Sequence, residues 1–334
     1  MELENFSLKL DDFDVIKVVG RGRYGKVLLV QKRTSQELYA MKVIKKSKVI
    51  QGNQIAHTLS ERSVLSNTNH PFIIRMHFAF QDSCRLYIVM EYCPGGDLFF
   101  YLEKYKKFHE SHCKFYAACV VLALKHLHSK RIVYRDLKPE NIVIDQNGYP
   151  KLADFGLSKE NVGKSNLTQT VCGTPEYIAP EVLLRKGHGL EIDWWSLGCV
   201  IYEMLTGIPP FYSTDRKLVL TSIINLKVPP NEKLNPTVFD LVNKLLTKDP
   251  RKRLGALGAE EVMSHQWFSD INWTDLETYK IDPPNIPKLV SPIDTCYFSP
   301  EYSSLWPENS DQSPVLQDSS KLFQEFEYVR IVNT

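Results

Sequence analysis

Apolar and polar positions along the chain change period from stretch to stretch, and each period predicts an element. Residues 13–30, FDVIKVVGRGRYGKVLLV, read as two apolar strands separated by glycines. Val27-Leu28-Leu29-Val30 is apolar throughout, where a helix would show a stripe every three to four residues. Tyr39-Ala40-Met41-Lys42 reads as a further strand, and Ile55 to Ser66 as an amphipathic helix. Arg85 to Cys93 predicts a strand that runs into an extended linker, and composition shifts at Pro94-Gly95-Gly96. From Ser111 to Lys130 the residues Tyr116, Val120, Leu124 and Leu127 recur at helical spacing, which marks a core helix. Ile142-Val143-Ile144 predicts a short buried strand, Asn147-Gly148 a tight turn, and Lys151-Leu152-Ala153 the returning strand. A helix from Asp193 to Leu205 is apolar on most faces and belongs at the centre of a compact unit. From Ser269 onward periodicity fades into Pro, Ser and Asp, the composition of a tail.

Composition narrows the classes. A chain of 334 residues suffices for one large or two modest domains. Lys and Arg number 41 against 39 Asp and Glu, so no global nucleic-acid or membrane footprint is expected and recognition is local. Seven cysteines without a CxxC pair argue against a disulfide framework or a zinc site, and for a reducing compartment. The N-terminus, MELENFSLKLDDFD, is acidic and polar where a signal peptide is basic then apolar. The longest apolar run, Phe115 to Leu124, is too short to span a bilayer. These features predict an intracellular protein with no stable membrane insertion and no nucleic-acid partner. No internal repeat is apparent, and the twelve residues before Phe13 are too few to fold an appended lipid-binding domain.

Candidate chemistry centres on residues 134–156, YRDLKPENIVIDQNGYPKLADFG. The predicted hairpin brings Asn141 and Asp154 together at its open end, where two oxygen ligands suit magnesium if phosphates and water supply the rest. Gly20, Gly22 and Gly25 fit GxGxxG. That pattern is shared with dinucleotide-binding folds, but the strand-like residues after it do not make their helix. Two strands joined by a glycine loop instead form a flap whose backbone NH groups lie over phosphates.

The string from Tyr134 through the D-F-G motif resembles the catalytic loop and metal-binding motif of protein kinases. Tyr134, in place of the family's usual histidine, is similar to the AGC group, and LKPEN resembles serine/threonine kinases. SKEN, TVCGTPEY and the tail resemble the Akt, serum-regulated and ribosomal-protein kinase branches. The resemblance implies an α+β, two-lobed protein-kinase fold. Its parts would be an N-terminal extension (1–12), a catalytic domain (13–268, small lobe about 13–90 and large lobe about 94–268) and a C-terminal tail (269–334).

It also implies roles. Asp136 would be the base, Lys138 and Lys42 phosphate contacts, and Glu61 the partner of Lys42; Asn141 and Asp154 would hold Mg2+. ATP would meet Gly20, Gly22, Gly25, Val27, Ala40, Lys42, Met90, Glu91, Cys93, Asp97 and the tail's Phe298. Arg23-Tyr24 at the flap's tip and Ser299 after Phe298 both depart from the family pattern. Thr170 matches the activation-loop phosphothreonine, with Arg135, Lys159 and His57 as phosphate partners. Asp97, Glu140 and Glu203 match acids that engage substrate arginines, and Thr174 would help align Asp136 and Lys138 with a hydroxyl acceptor. Asp193 would hold the catalytic-loop backbone, and Glu181 would pair with Arg253.

In the tail, Pro283 to Pro287 reads as a stiff proline segment. Phe323, Phe326, Glu327 and Tyr328 resemble the hydrophobic motif, expected to enter a pocket beside the Glu61 helix with Leu86 at its floor. Glu327 stands where relatives carry a phosphorylated residue, and Ser313-Pro314 resembles a turn-motif site. The implied partners are basic protein substrates and an upstream kinase of the phosphoinositide-dependent type, for a monomer in the cytoplasm and nucleus. The rival readings are a pseudokinase scaffold and a glycine-loop oxidoreductase.

Overall fold

The computed structural model describes residues 8–22, 25–163, 166–170, 172–232, 234–304 and 321–330. Arg23-Tyr24 and Ser313-Pro314 lie outside the described residues. In chain order the first elements are β1 (Phe13–Gly22), β2 (Gly25–Lys32), β3 (Leu38–Lys45), α1 (Lys46–Gln51), α2 (Ile55–Asn67), β4 (Met76–Gln81) and β5 (Arg85–Glu91). Next come α3 (Leu98–Tyr105), α4 (Glu110–Ser129), β6 (Ile142–Ile144), β7 (Pro150–Leu152), α5 (Pro180–Leu183) and α6 (Glu191–Thr206). The remainder are α7 (Arg216–Asn225), α8 (Pro236–Leu245), α9 (Ala259–Met263), α10 (Trp273–Glu277), α11 (Pro300–Ser303) and β8 (Tyr328–Val329).

These elements form two compact units. The first holds the chain up to Asn69, Ile74–Gly96 and everything from Pro287 onward; the second holds His70–Ile73 and Asp97–Ile286. The first unit is built on a six-stranded antiparallel sheet in the order β1-β2-β3-β5-β4-β8. Its β-branched and aromatic residues alternate onto a core that includes Val18, Leu28, Val30, Met41, Val43 and Val89. Phe80 lies in that core between Phe13 and Tyr87, with ring centroids at 5.9 and 4.7 Å. Gly25 is required where β2 meets β3, because a Cβ there would lie 1.7 Å from the Val43 carbonyl oxygen.

The second unit is mainly helical. Every residue of α6 from Ile192 to Leu205 is buried, as its all-round apolar sequence predicts, and Gly207 ends the helix in the left-handed conformation at φ 90°. On α6, Gly198 faces Leu245 of α8 so closely that a Cβ would come within 2.9 Å. Arg253 and Glu181 form a buried bidentate pair at 2.7 and 2.9 Å. The returning strand of the small hairpin is β7, one residue earlier than the sequence pattern suggests. Pro150 pairs with Ile144, and the Ala153 amide turns to the Asn141 carbonyl at 2.9 Å. Residues 70–73 belong with this unit because Leu152 N donates to Phe72 O at 2.9 Å and Lys151 Nζ to Pro71 O at 2.9 Å. Among the described residues no helix is long and apolar enough to cross a membrane, and all seven cysteines are free thiols.

Candidate active site

The catalytic-loop stretch is held from one buried carboxylate. Asp193, fully buried in the first turn of α6, accepts from the amides of Tyr134 and Arg135 at 2.9 Å each and lies 2.8 Å from His128 Nε2. Such a group is tolerated in the interior because its lone pairs are occupied. The expected role of Asp193 is met. Above it, the Tyr134 hydroxyl donates to the Ala153 carbonyl, and its ring packs edge-on against Phe155 at 5.1 Å, both rings fully buried. Arg135 has φ +70° and Asp154 φ +53°, so the backbone is bent at both ends of the segment.

The loop presents a connected set of polar groups. Asn141 Nδ2 donates to both Asp136 O and Asp136 Oδ2 at 2.8 Å. Lys138 Nζ lies 3.2 Å from Asp136 Oδ2 and donates to Thr174 Oγ1 at 2.9 Å, while the Thr174 hydroxyl reaches Asp136 Oδ1 at 3.4 Å. Thr174 therefore sits between Asp136 and Lys138. With its nitrogen on Asp136, Asn141 keeps its amide oxygen as an acceptor. Asp154 is exposed and adjoins Asn141 through the Ala153 bond. This pair of hard oxygen donors fits magnesium. No group of three or more His, Cys, Asp or Glu that could hold a metal occurs among the described residues.

In the first unit, Lys42 Nζ contacts Glu61 Oε1 at 2.6 Å, and the Glu61 side chain is only 4% exposed. α2 thus carries the expected partner. Strand register puts Val27 opposite Lys42 and Met90 opposite Ala40. Paired residues and alternate positions share a face, so Val27, Ala40, Lys42 and Met90 line one side of the sheet. Gly20 pairs with Val27 and Gly22 with Gly25 on the neighbouring strands. Glu91 Oε1 accepts from Arg75 N at 2.7 Å, and Cys93 is buried.

Three acids of the second unit share an electrostatic neighbourhood. Burial pushes Asp97 up to about 6, with repulsion from Glu140 adding to it, even though Asp97 caps α3 by accepting from Phe100 N at 2.9 Å. Burial likewise raises Glu203 to about 7, although the Tyr177 hydroxyl donates to it at 2.6 Å. Glu140 is raised by burial, opposed by Lys138 and reinforced by Asp136 and Glu176. Glu176 also repels Glu203 and so belongs to this cluster. Its charge was readable in TPEY; its place beside Glu140 and Glu203 was not.

Residues 13–268 match the family model of the protein kinase domain. The chain belongs to the protein kinase family. It is 42% identical over 336 residues to serine/threonine protein kinase ypkA of Aspergillus fumigatus, covering 99% of this chain and 53% of that protein. It is 43% identical over 327 residues to RAC-beta serine/threonine-protein kinase A of Xenopus laevis, covering 96% and 67%. It is 44% identical over 326 residues to human ribosomal protein S6 kinase alpha-3, covering 96% and 44%. These relatives place it in the AGC group of serine/threonine kinases, near the Akt and ribosomal-protein kinase branches, and its two units have the small antiparallel and large helical composition of the kinase lobes. The chain spans about half the length of the curated relatives it matches, from 44 to 67%.

In the activation segment of this kinase, Thr170 is exposed, and the hydroxyl that meets Arg135 is that of Thr168, at 3.4 Å from Nη1. Thr168 is buried and strapped to His188 by two backbone bonds of 3.0 and 2.9 Å. Lys159 bonds through its backbone to Val133, and His57 Nδ1 lies 2.6 Å from Gln54 Oε1. Arg135 is thus aimed into the activation segment, two residues from the expected threonine; Thr168 was missed because nothing in its local sequence separates it from its neighbours.

The kinase tail packs where its sequence only hinted. Phe323 and Phe326 are both fully buried. Lys46 Nζ lies 5.6 Å from the centre of the Phe323 ring, and Gln81 Nε2 donates to Phe323 O at 2.9 Å. From α2, Arg62 donates to the carbonyls of Phe326 and Glu327 at 3.2 and 2.6 Å and lies over the Tyr328 ring. Tyr328-Val329 then pairs with Ala79-Phe78 on β4. Arg62 therefore reads the Glu327 carbonyl, and the Glu327 side chain is exposed. Lys46 and Arg62 were not foreseen, because single basic residues on a helix carry no signal of a distant partner.

Upstream, Phe298 stacks on Tyr92 with centroids at 6.0 Å, Lys17 Nζ donates to Thr295 Oγ1 at 2.9 Å, and the Tyr92 hydroxyl donates to Asp294 O at 2.9 Å. Gly96, at φ +72°, leaves room for the Tyr297 carbonyl, which a Cβ would approach to 2.2 Å. Within the second unit the proline segment packs on the small hairpin, where Asn285 O would sit 2.4 Å from a Cβ on Gly148.

Proposed function

We propose that the chain transfers the terminal phosphoryl group of ATP to Ser or Thr hydroxyls in basic sequences of RxRxxS/T type, under control of Thr170 phosphorylation and tail docking. The observation that carries the reading is the Asp136–Lys138–Asn141–Thr174 network on a loop anchored by buried Asp193. Asp136 accepts the proton of the acceptor hydroxyl as its oxygen attacks the γ-phosphorus and ADP leaves. Lys138 stabilises charge on the transferred group, and Lys42, steadied by Glu61, does so on the remaining phosphates. Asn141 and Asp154 would hold magnesium, which neutralises phosphate charge when bound. With little covalent chemistry demanded of the protein, positioning supplies most of the rate.

Substrate choice follows from the acid cluster. Asp97, Glu140, Glu176 and Glu203 repel one another. A guanidinium placed among them would relieve that repulsion and give these carboxylates a donor, which favours arginines ahead of the acceptor. Phosphorylation of Thr170 by an upstream kinase would add close to two negative charges beside a segment that Arg135 already enters. A pseudokinase scaffold is disfavoured because the Lys42–Glu61 pair and the Asp136 network are both formed.

The test is magnesium-dependent phosphate incorporation into a peptide with arginines ahead of a serine, using chain phosphorylated at Thr170. Asp136→Asn is expected to lower kcat by about 10²–10⁴-fold, and Asp154→Asn to abolish the magnesium-dependent signal. Equal rates in wild type and both variants would overturn the activity. Equal rates with the arginines replaced by alanine would overturn the specificity alone.

A further inference from the structure

Residues 288–297 of the tail form a small closed loop with one residue at its hub. Asp294 accepts from Val290 N at 3.1 Å and from Cys296 N at 2.9 Å through its two carboxylate oxygens, and its carbonyl accepts from the Tyr92 hydroxyl. Its amide closes a turn by donating to Ser291 O at 3.1 Å, and Lys288 N donates to the Tyr297 hydroxyl at 2.8 Å. The tip of this loop is Val290-Ser291-Pro292-Ile293, and all four residues are exposed, Val290 to 93%. Its side chains are turned out to solvent while its backbone is tied to Asp294. Two apolar side chains stand in solvent on either side of a Ser-Pro pair, while the residues below it are tied down.

We propose that Ser291 is an acceptor site for a proline-directed serine kinase, and that its phosphorylation opens the Asp294 clasp. A proline after the acceptor removes a backbone donor and disfavours the helical region for the preceding residue, so such an enzyme reads it with an apolar pocket that needs no N–H. Val290 and Ile293 supply exposed apolar contacts on both sides. The reaction forms a bond between Ser291 Oγ and the γ-phosphorus of the modifying enzyme's ATP. It breaks the bond to ADP, and the hydroxyl proton passes to that enzyme's base. The product carries close to two negative charges. Ser291 and Asp294 are the ends of one turn, with Cα atoms within about 7 Å in such turns, so the new charge arises within a short distance of the carboxylate that closes the loop.

A second Ser-Pro pair provides the internal comparison. Ser299 is exposed, but Pro300 opens α11, and Tyr302 of that helix packs against the sheet core. The residues after Ser299 are therefore helical and held, unlike the free tip at Ser291. Preference for Ser291 over Ser299 follows from this difference.

The experiment uses the full chain carrying Asp154→Asn, so that phosphate cannot come from the chain itself. It is incubated with a proline-directed serine kinase and magnesium ATP, the modified residues are mapped by mass spectrometry, and amide hydrogen exchange is compared before and after. The expected result is phosphate mainly on Ser291, none in Ser291→Ala, and about tenfold faster exchange at Val290 and Cys296 from like-charge repulsion. Phosphate mainly on Ser299 or Ser313, no incorporation, or phosphate on Ser291 with unchanged exchange would each overturn the proposal.

Discussion

The catalytic loop and the hydrophobic end of the tail are both irregular segments fixed to a compact unit, and they are fixed in opposite ways. Residues 134–141 are held from below by hydrogen bonds to one buried carboxylate, with backbone amides as the donors. Residues 323–329 are held by two buried aromatic plugs, and the polar contacts run from Arg62 and Gln81 to tail carbonyls. Hydrogen bonds to a charged acceptor fix direction closely, while apolar burial fixes position with less angular demand. The first arrangement suits a segment whose side chains must be aimed, and the second a segment that has only to be seated.

The contrast predicts a ranked set of effects. The largest is expected for Asp193→Ala, which leaves the Tyr134 and Arg135 amides without their acceptor; a loss of about 3–5 kcal/mol of stability should appear in denaturant titration together with loss of peptide phosphorylation. Should the variant keep wild-type stability and rate, the loop is not held from Asp193. Next is Phe326→Ala, where losing a buried ring costs about 3–5 kcal/mol. That loss should release the tail, so hydrogen exchange is expected to rise at residues 323–329 while residues 134–141 stay protected. Exchange rising equally in both segments would erase the distinction between them.

A smaller effect concerns pH. Asp97, at about 6, and Glu203, at about 7, are ionised above these values and neutral below. Guanidinium binding needs the ionised forms, so KM for an arginine-containing peptide should fall as pH rises from 6 to 8, by about tenfold for one unit of linked titration. The same peptide with alanine in place of arginine should show no such trend in KM. Smallest of all is Glu327→Gln. Because Arg62 binds the carbonyl and the side chain is exposed, tail exchange and kinase activity should change by less than about twofold, the range of an exposed substitution. A marked release of the tail would instead show that the carboxylate holds it.

The same division explains what could be read from sequence. The hairpin was legible because it depends on spacing within one short segment, while the Tyr134–Asp154 string and Lys42 with Glu61 were legible only through their resemblance to the protein-kinase family. The one-residue shift of β7 was not, since the apolar pattern does not show that Pro150 is the residue paired with Ile144. Thr168, Glu176, Lys46 and Arg62 were also missed. Each acquires its place only from a residue far along the chain, and a distant contact leaves no periodicity to find. Gly25 was legible as part of a glycine motif but not as the residue that admits the Val43 carbonyl.

The return of the tail to β4 also sets an order of assembly during synthesis. Between Gly96 and Pro287 the ribosome must deliver the whole second unit, roughly 190 residues. Phe323 follows Gln81 by 242 residues, so at translation speeds of about 5–20 residues per second Lys46, Arg62 and Gln81 wait about 10–50 s for their tail partners. Throughout that interval β4 lacks the strand that covers its edge in the finished fold, the kind of unpaired edge that invites pairing with other chains.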